Sequence, residues 1–143
     1  MASISDSMAS ISILLAEDEE LILELLASIL TSKFPDLKLY TANNGRNGLE
    51  LFKTHTPDIV ITDIHMPKMS GVQMSEKIRA IKQETKFIVL TGKNGKLILQ
   101  GSVEKGFEFD HVIVKPIVFQ ELFGAIEQCI GEISGANLEF LIK

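Results

Sequence analysis

Five short apolar runs recur along the chain at wide spacing: residues 11–16, 37–41, 58–62, 86–91 and 111–114. Several are rich in Ile and Val and do not alternate with polar positions, the pattern of strands covered on both faces. Between them, apolar residues return at helical spacing. Ile22, Leu25, Leu26, Ile29 and Leu30 mark a first helix. Leu49 and Phe52 mark a short second one, opening near Asn43 and Asn44, either of which suits an N-cap. Val72, Ile78 and Ile81 mark a third. Residues 94–104 form a fourth, weakened by Gly95 and Gly101. Phe119, Leu122, Phe123, Ile126 and Ile130 mark the last.

Strand and helix alternating five times predicts an α/β fold, a single doubly wound five-stranded parallel sheet flanked by five helices. Right-handed crossovers bring every strand's carboxyl end to one edge, where ligands bind in such sheets. The residues that follow the apolar runs therefore converge. Glu17 and Asp18 follow the first run, Asp63 the third, Thr91 closes the fourth and Lys115 follows the fifth.

A carboxylate at the exit of a buried strand is costly unless a charge or hydrogen bond meets it. Three carboxylates together persist when a proton or cation neutralises them. An all-oxygen set without His or Cys favours Mg²⁺ or Mn²⁺. The competing reading of Glu17-Asp18 is a plain acidic turn at a helix start. Lys115 precedes Pro116, so this X-Pro bond can be cis. It suits an ion pair with Asp63 or a phosphoryl oxygen; alone, it would read as a solvated loop lysine. Thr91 offers a hydroxyl beside the bare backbone of Gly92; alone, it would read as the end of a strand. Together the set suits an aspartate that attacks phosphorus. No phosphate-binding glycine loop is present, and Gly45-Arg46-Asn47-Gly48 is too short to be one.

The 143 residues suit one domain. A net charge of −5 and a pI near 5.2 argue against direct nucleic-acid or anionic-membrane binding. The single cysteine, Cys129, excludes an internal disulfide and sits among apolar residues of the last helix. With no spanning segment or signal peptide, a cytoplasmic setting is the expectation. Met1-Ala2-Ser3-Ile4-Ser5 recurs as Met8-Ala9-Ser10-Ile11-Ser12, too short to be a structural repeat. Residues 1–9 read as a leader, 10–133 as the domain and 134–143 as a C-terminal tail.

These residues resemble the response-regulator receiver domains of two-component signalling, of the chemotaxis-regulator kind. The matching pieces are Ile13-Leu14-Leu15-Ala16-Glu17-Asp18-Glu19, the run from Asp63 to Gly71 with Pro67, Val89-Leu90-Thr91-Gly92, and Val114-Lys115-Pro116. The resemblance covers about residues 11–131. It implies the flavodoxin-like strand order 2-1-3-4-5. It makes Asp63 the phospho-acceptor, Asp18 a direct Mg²⁺ ligand, Glu17 a ligand through water, and the His65 backbone carbonyl a further ligand. Thr91 becomes the switch hydroxyl and Lys115 the phosphate-pairing cation. His65 and Lys93 take the positions that tune hydrolysis, while Pro67, Gly71 and Pro116 shape the loops. The phosphodonor would be a histidine kinase or a histidine phosphotransfer protein. An output domain is absent from this chain, and a homodimer through the helix 4–strand 5–helix 5 face is an implied partner.

Three positions depart from the family pattern. Glu17 stands where Asp is commoner, Gly92 where Ala is usual, and Val112 at the switch-aromatic position. Phe109 and His111 are nearby aromatics at the wrong spacing. Val112 favours a rival reading, a pseudo-receiver that binds partners without phosphorylation. A small metal-dependent phosphatase is a third reading, against which His65 stands where a second acid is wanted. Leu97, Ile98 and Leu99 are consecutive and cannot all face the core of one helix, so part of that patch is expected at the surface. His55 suits the end of the second helix, and Met66 and Met69 read as packing residues.

Overall fold

A computed structural model of the chain describes residues 11–92 and 95–134. The expected leader, residues 135–143 of the expected tail and the tuning position Lys93 lie outside the described residues. Five parallel strands, β1 (Ser12–Ala16), β2 (Lys38–Ala42), β3 (Ile59–Asp63), β4 (Lys86–Thr91) and β5 (His111–Val114), stand in the order β2-β1-β3-β4-β5. Helices α1 (Glu20–Lys33), α2 (Gly45–His55), α3 (Gly71–Ile81), α4 (Gly95–Glu104) and α5 (Phe119–Ser134) alternate with them. This is the expected flavodoxin-like fold. α5 runs one residue past the expected domain boundary, to Ser134.

The continuous apolar runs serve two layers at once, because side chains alternate across a strand. Ile13 and Leu15 of β1, with Ile59 and Ile61 of β3, pack toward Leu26 and Leu30 of α1 and Ile126 and Ile130 of α5. Leu14 and Ala16, with Val60 and Val89, pack toward Phe52 of α2 and Met74 and Ile78 of α3. All five residues of β3 are buried, including Asp63. The central strand thus delivers a carboxylate to the edge of a dry sheet.

Three expected stripe residues fall outside the core: Leu25, Ile81 and Phe119, the last being the first residue of α5. Leu25 is exposed, since the buried line on α1 runs through Leu26 and Leu30. Residues four apart stack over one another, and Leu25 lies a third of a turn aside. Ile81 is also exposed: it is the last residue of α3, where the chain leaves the layer through the extended Lys82. Of the two cap candidates, Asn44 closes α2, its side chain accepting from Asn47 N at 2.8 Å. His55 ends α2 stacked on Tyr40, centroids 4.2 Å apart. No described helix is long and apolar enough to cross a membrane.

α3 begins with a capping box, Ser70 and Gln73 each binding the other's backbone N–H. Its first residue, Gly71, presses on the end of β3. A methyl group there would overlap the Asp63 carbonyl oxygen and lie 2.8 Å from Thr62 Oγ1. Both obstacles belong to a buried strand that cannot give way. Gly71→Ala is expected to lower stability by about 1–3 kcal/mol, the usual cost of overpacking. Gly124→Ala, where the added methyl meets open space, is expected to be neutral or stabilising by up to about 1 kcal/mol. Urea unfolding of both variants checks this; equal stabilities would contradict the contact.

Candidate functional site

Three acids at the amino edge of the sheet are matched by cations. Asp58 pairs with Lys82 at 3.2 Å, Asp110 with Arg79 at 3.4 Å and Glu132 with Lys86 at 2.8 Å. The carboxyl edge differs. There Glu17 and Asp18 leave β1, Asp63 closes β3, and each offers one carboxylate oxygen within 4.8 Å of the others. Only Lys115 faces them among the described ion pairs, its Nζ 2.7 Å from Asp63 Oδ2 and 3.9 Å from Glu17 Oε2.

Local backbone geometry fixes each group. Glu17 N donates to Ala42 O at 3.0 Å, which holds the exit of β1 against the end of β2. The Glu17 side chain turns back over the start of α1, its Oε1 accepting from Glu19 N at 3.2 Å. Asp63 Oδ1 accepts from Ile64 N at 2.7 Å, while Thr62 Oγ1 donates to the Asp63 carbonyl at 2.8 Å. Gly71 N closes the loop by donating to Ile64 O at 2.8 Å, and Pro67 lies inside that loop. Lys115 N donates to Thr91 O at 2.7 Å, and the Lys115–Pro116 bond is cis. This continues the β4–β5 register, in which Thr91 faces Val114, and sends the Lys115 side chain toward β3.

The structure therefore brings together Glu17, Asp18, Asp63 and Lys115. Thr91 ends the neighbouring strand, one residue beyond Leu90, the partner of Asp63. Its hydroxyl donates to Gly92 O at 3.1 Å and not to any of the three carboxylates. His65 is exposed on the loop after Asp63 and supplies no second carboxylate there. Val112 stands on the edge strand opposite Val89, 47 % exposed. Leu97 and Ile98 are exposed and Leu99 half-buried, which answers the expectation for that patch.

Sequence reasoning missed the state of Glu17. Its side chain is fully buried, and Oε2 has no hydrogen-bond partner. Burial pushes its pKa up from 4.5 to about 7; the Glu19 N–H opposes this, the charges of Asp63 and Asp18 add to it, and Lys115 lowers it. For Lys115, burial disfavours the ammonium, yet the hydrogen bond and charge of Asp63, with Glu17 behind it, leave its pKa above the ordinary value. Cys129 is inert by the same physics, its thiol pushed up to about 12 chiefly by burial. The unpartnered Oε2 and the all-oxygen donor set fit a small hard divalent cation.

Without metal, Glu17 should weaken the fold as pH rises. A buried carboxyl titrating near 7 rather than 4.5 contributes stability below pH 4.5 that is lost as pH climbs through 7, about 3 kcal/mol in all. Glu17→Gln is expected to flatten this loss between pH 5 and 8. Chemical unfolding in chelator reads it, and parallel profiles for both proteins would contradict the assignment.

Residues 13–127 match the family model of the response regulator receiver domain. The chain is 33% identical over 122 residues to an uncharacterised transcriptional regulatory protein, YesN, of Bacillus subtilis, covering 85% of this chain and 33% of that protein. It is 30% identical over 116 residues to a probable C4-dicarboxylate response regulator, DctR, of the same organism, covering 81% of this chain and 50% of that one. The chain thus spans a third to a half of the length of these curated relatives. Among solved structures, a receiver domain from Clostridium thermocellum superposes with a TM-score of 0.78 at 28% identity, over 87% of this chain and 97% of that one. The response regulator TrrA of Thermotoga maritima, solved in complex with Mg²⁺–BeF, superposes with a TM-score of 0.72 at 32% identity, over 83% of this chain and 98% of that one. The convergence of strand-end acids and one lysine is thus found on a sequence that matches one family along most of its length: the chain belongs to the response-regulator receiver domains of two-component signalling.

Proposed function

We propose that the domain is a phospho-accepting switch in which Asp63 takes a phosphoryl group from a phosphohistidine. The observation that carries this reading is the carboxylate of Asp63, a residue 9 % exposed, held 2.7 Å from the Lys115 ammonium beside two further acids. A carboxylate oxygen forms a bond to phosphorus as the phosphorus–nitrogen bond of the donor breaks, and the released imidazole takes up a proton. Lys115 balances the growing negative charge, because its Nζ already reaches both Asp63 and Glu17. Thr91 supplies a hydroxyl that can turn from Gly92 O toward a phosphoryl oxygen once one is present. Asp18, Asp63, Glu17 through water and the His65 carbonyl would hold Mg²⁺ or Mn²⁺. Bound there, the ion would neutralise the acidic cluster and the transferring group. Loss of the phosphoryl group by hydrolysis in the same pocket, tuned at His65 and Lys93, completes the cycle. The family is a signalling module and not a dedicated enzyme.

The donor on this reading is a histidine kinase or a histidine phosphotransfer protein in the cytoplasm. Exposed Val103 on α4, Val112 and Val114 on β5, and Val118 just before α5 support a homodimer contact on that face. The length of the relatives supports an output domain joined to this one in a longer protein. A pseudo-receiver is the second reading, favoured by one observation: the exposed Val112 supplies no ring to follow Thr91 inward.

Asp63→Asn is expected to abolish labelling by a small phosphodonor such as acetyl phosphate, and Val112→Ala to leave labelling nearly unchanged. Labelling that survives Asp63→Asn would place the acceptor elsewhere, and none in the wild type would favour the pseudo-receiver. Metal binding should also depend on pH. Because Glu17 titrates near 7 and an ionised carboxylate favours the cation, Mg²⁺ affinity is expected to rise roughly tenfold from pH 6 to 8. Calorimetric titration across that range checks this; a flat profile would remove Glu17 from the metal site.

A further inference from the structure

Two glycines of α2 face the segment that follows Asp63. A methyl group on Gly48 would lie 2.5 Å from Met74 Sδ, the far end of a side chain that can move. Gly45, buried at the first turn, is different. A methyl there would overlap the carbonyl oxygen of Met69 and lie 2.7 Å from its carbonyl carbon and 2.8 Å from its Cβ. The helix thus meets the backbone of the β3–α3 loop directly. That loop is tightly wound. Met69 N donates to Pro67 O at 2.8 Å across Lys68, which stands at φ +69°. A side chain in that region is strained, and such a turn persists only where its surroundings hold it. The far end of the loop is tied by the Gly71 N–Ile64 O bond and by the Ser70–Gln73 capping box. His65, Pro67 and Lys68 are exposed.

The residues just before Gly45 hold the other side of the site. Ala42 O accepts from Glu17 N at 3.0 Å, and the buried Asn44 caps the helix that starts beside Met69. One short junction, Ala42 to Gly45, therefore touches both the exit of β1, with Glu17 and Asp18, and the loop that carries the His65 carbonyl. We infer that this junction is the strut that sets the width of the metal site, and that Gly45 is a positioning residue acting through the Met69 backbone. The inference rests on the proposed cation ligands, Asp18, Asp63, Glu17 through water and the His65 carbonyl. With a side chain at position 45, either α2 or the loop must yield. Buried Leu49 and Phe52 pin α2 in the core, so the loop moves. It moves away from the junction that holds Glu17, and the site opens. A small cation suffers first. Mg²⁺ demands near-octahedral ligands at about 2.0–2.1 Å, whereas Ca²⁺ accepts about 2.3–2.6 Å and flexible geometry.

Calorimetric titration of the whole chain with Mg²⁺, and separately with Ca²⁺, tests the strut. Gly45→Ala is expected to lose about tenfold in Mg²⁺ affinity, the scale of a lost outer contact at a metal site. The loss for Ca²⁺ is expected to be smaller, so the ratio of Ca²⁺ to Mg²⁺ affinity rises. Gly48→Ala, which adds the same methyl one turn on, is expected to keep both affinities. A merely destabilised fold would weaken both ions alike. Asn44→Ala removes the cap acceptor without adding bulk and is expected to give a smaller shift toward Ca²⁺; it carries the test where Gly45→Ala does not fold. Unchanged Mg²⁺ affinity in folded Gly45→Ala, equal losses for the two ions, a Gly48→Ala loss as large as that of Gly45→Ala, or wild-type selectivity in Asn44→Ala would each overturn the inference. Failure of the wild type to bind Mg²⁺ would instead contradict the proposed ligand set, and is read separately.

Discussion

The arrangement depends on one lysine held against two carboxylates at the edge of a dry sheet. Two like charges about 5 Å apart repel by about 3 kcal/mol at an effective dielectric near 20, and Asp18 adds a third. Lys115 meets Asp63 directly and Glu17 at longer range, which leaves Glu17 undercompensated. Its raised pKa and its unpartnered Oε2 are two signs of the same imbalance. Such an imbalance suits a small hard cation. The matched pairs at the opposite edge show that this fold can neutralise its acids internally.

The sheet that sets this geometry is rigid for reasons visible in its composition. Every residue of β3 is buried, and both layers draw on alternate residues of the same strands. The strand ends therefore cannot drift, and the distances among Glu17, Asp63 and Lys115 are properties of the register. α4 is the opposite case. Glycines at 95 and 101 lie within it, Gly106 follows it, and the residues it buries are small. Stability is unevenly distributed along the sequence: a fixed charge pocket stands beside a helix whose fully buried residues are only Gly95 and Ser102.

Much of this was legible in the sequence because strand exits in a parallel α/β sheet must share an edge. Apolar runs announced the five strands, and the residues at the ends of four of them announced the site. What failed did so where neighbours decide. Leu25 and Ile81 match a helical stripe, but the width of the buried face and the end of a helix are properties of packing. Asn44 and Asn43 are equivalent cap candidates until the backbone chooses. The protonation of Glu17 was hidden because burial depends on how α1 crosses the exit of β1. Gly95 read as a weakness in helix four; its close approach to Thr91 needs coordinates. Arg79 carried no sequence signal that set it between Phe87 and Phe107.

Fluorine NMR of beryllofluoride with the wild-type chain tests the central claim most directly, since this trigonal group mimics a phosphoryl on a carboxylate. The account predicts bound fluorine resonances that require Mg²⁺ and vanish in Asp63→Asn. Bound resonances that persist without any divalent cation, or in Asp63→Asn, would contradict a single pocket shared by metal and phosphoryl group.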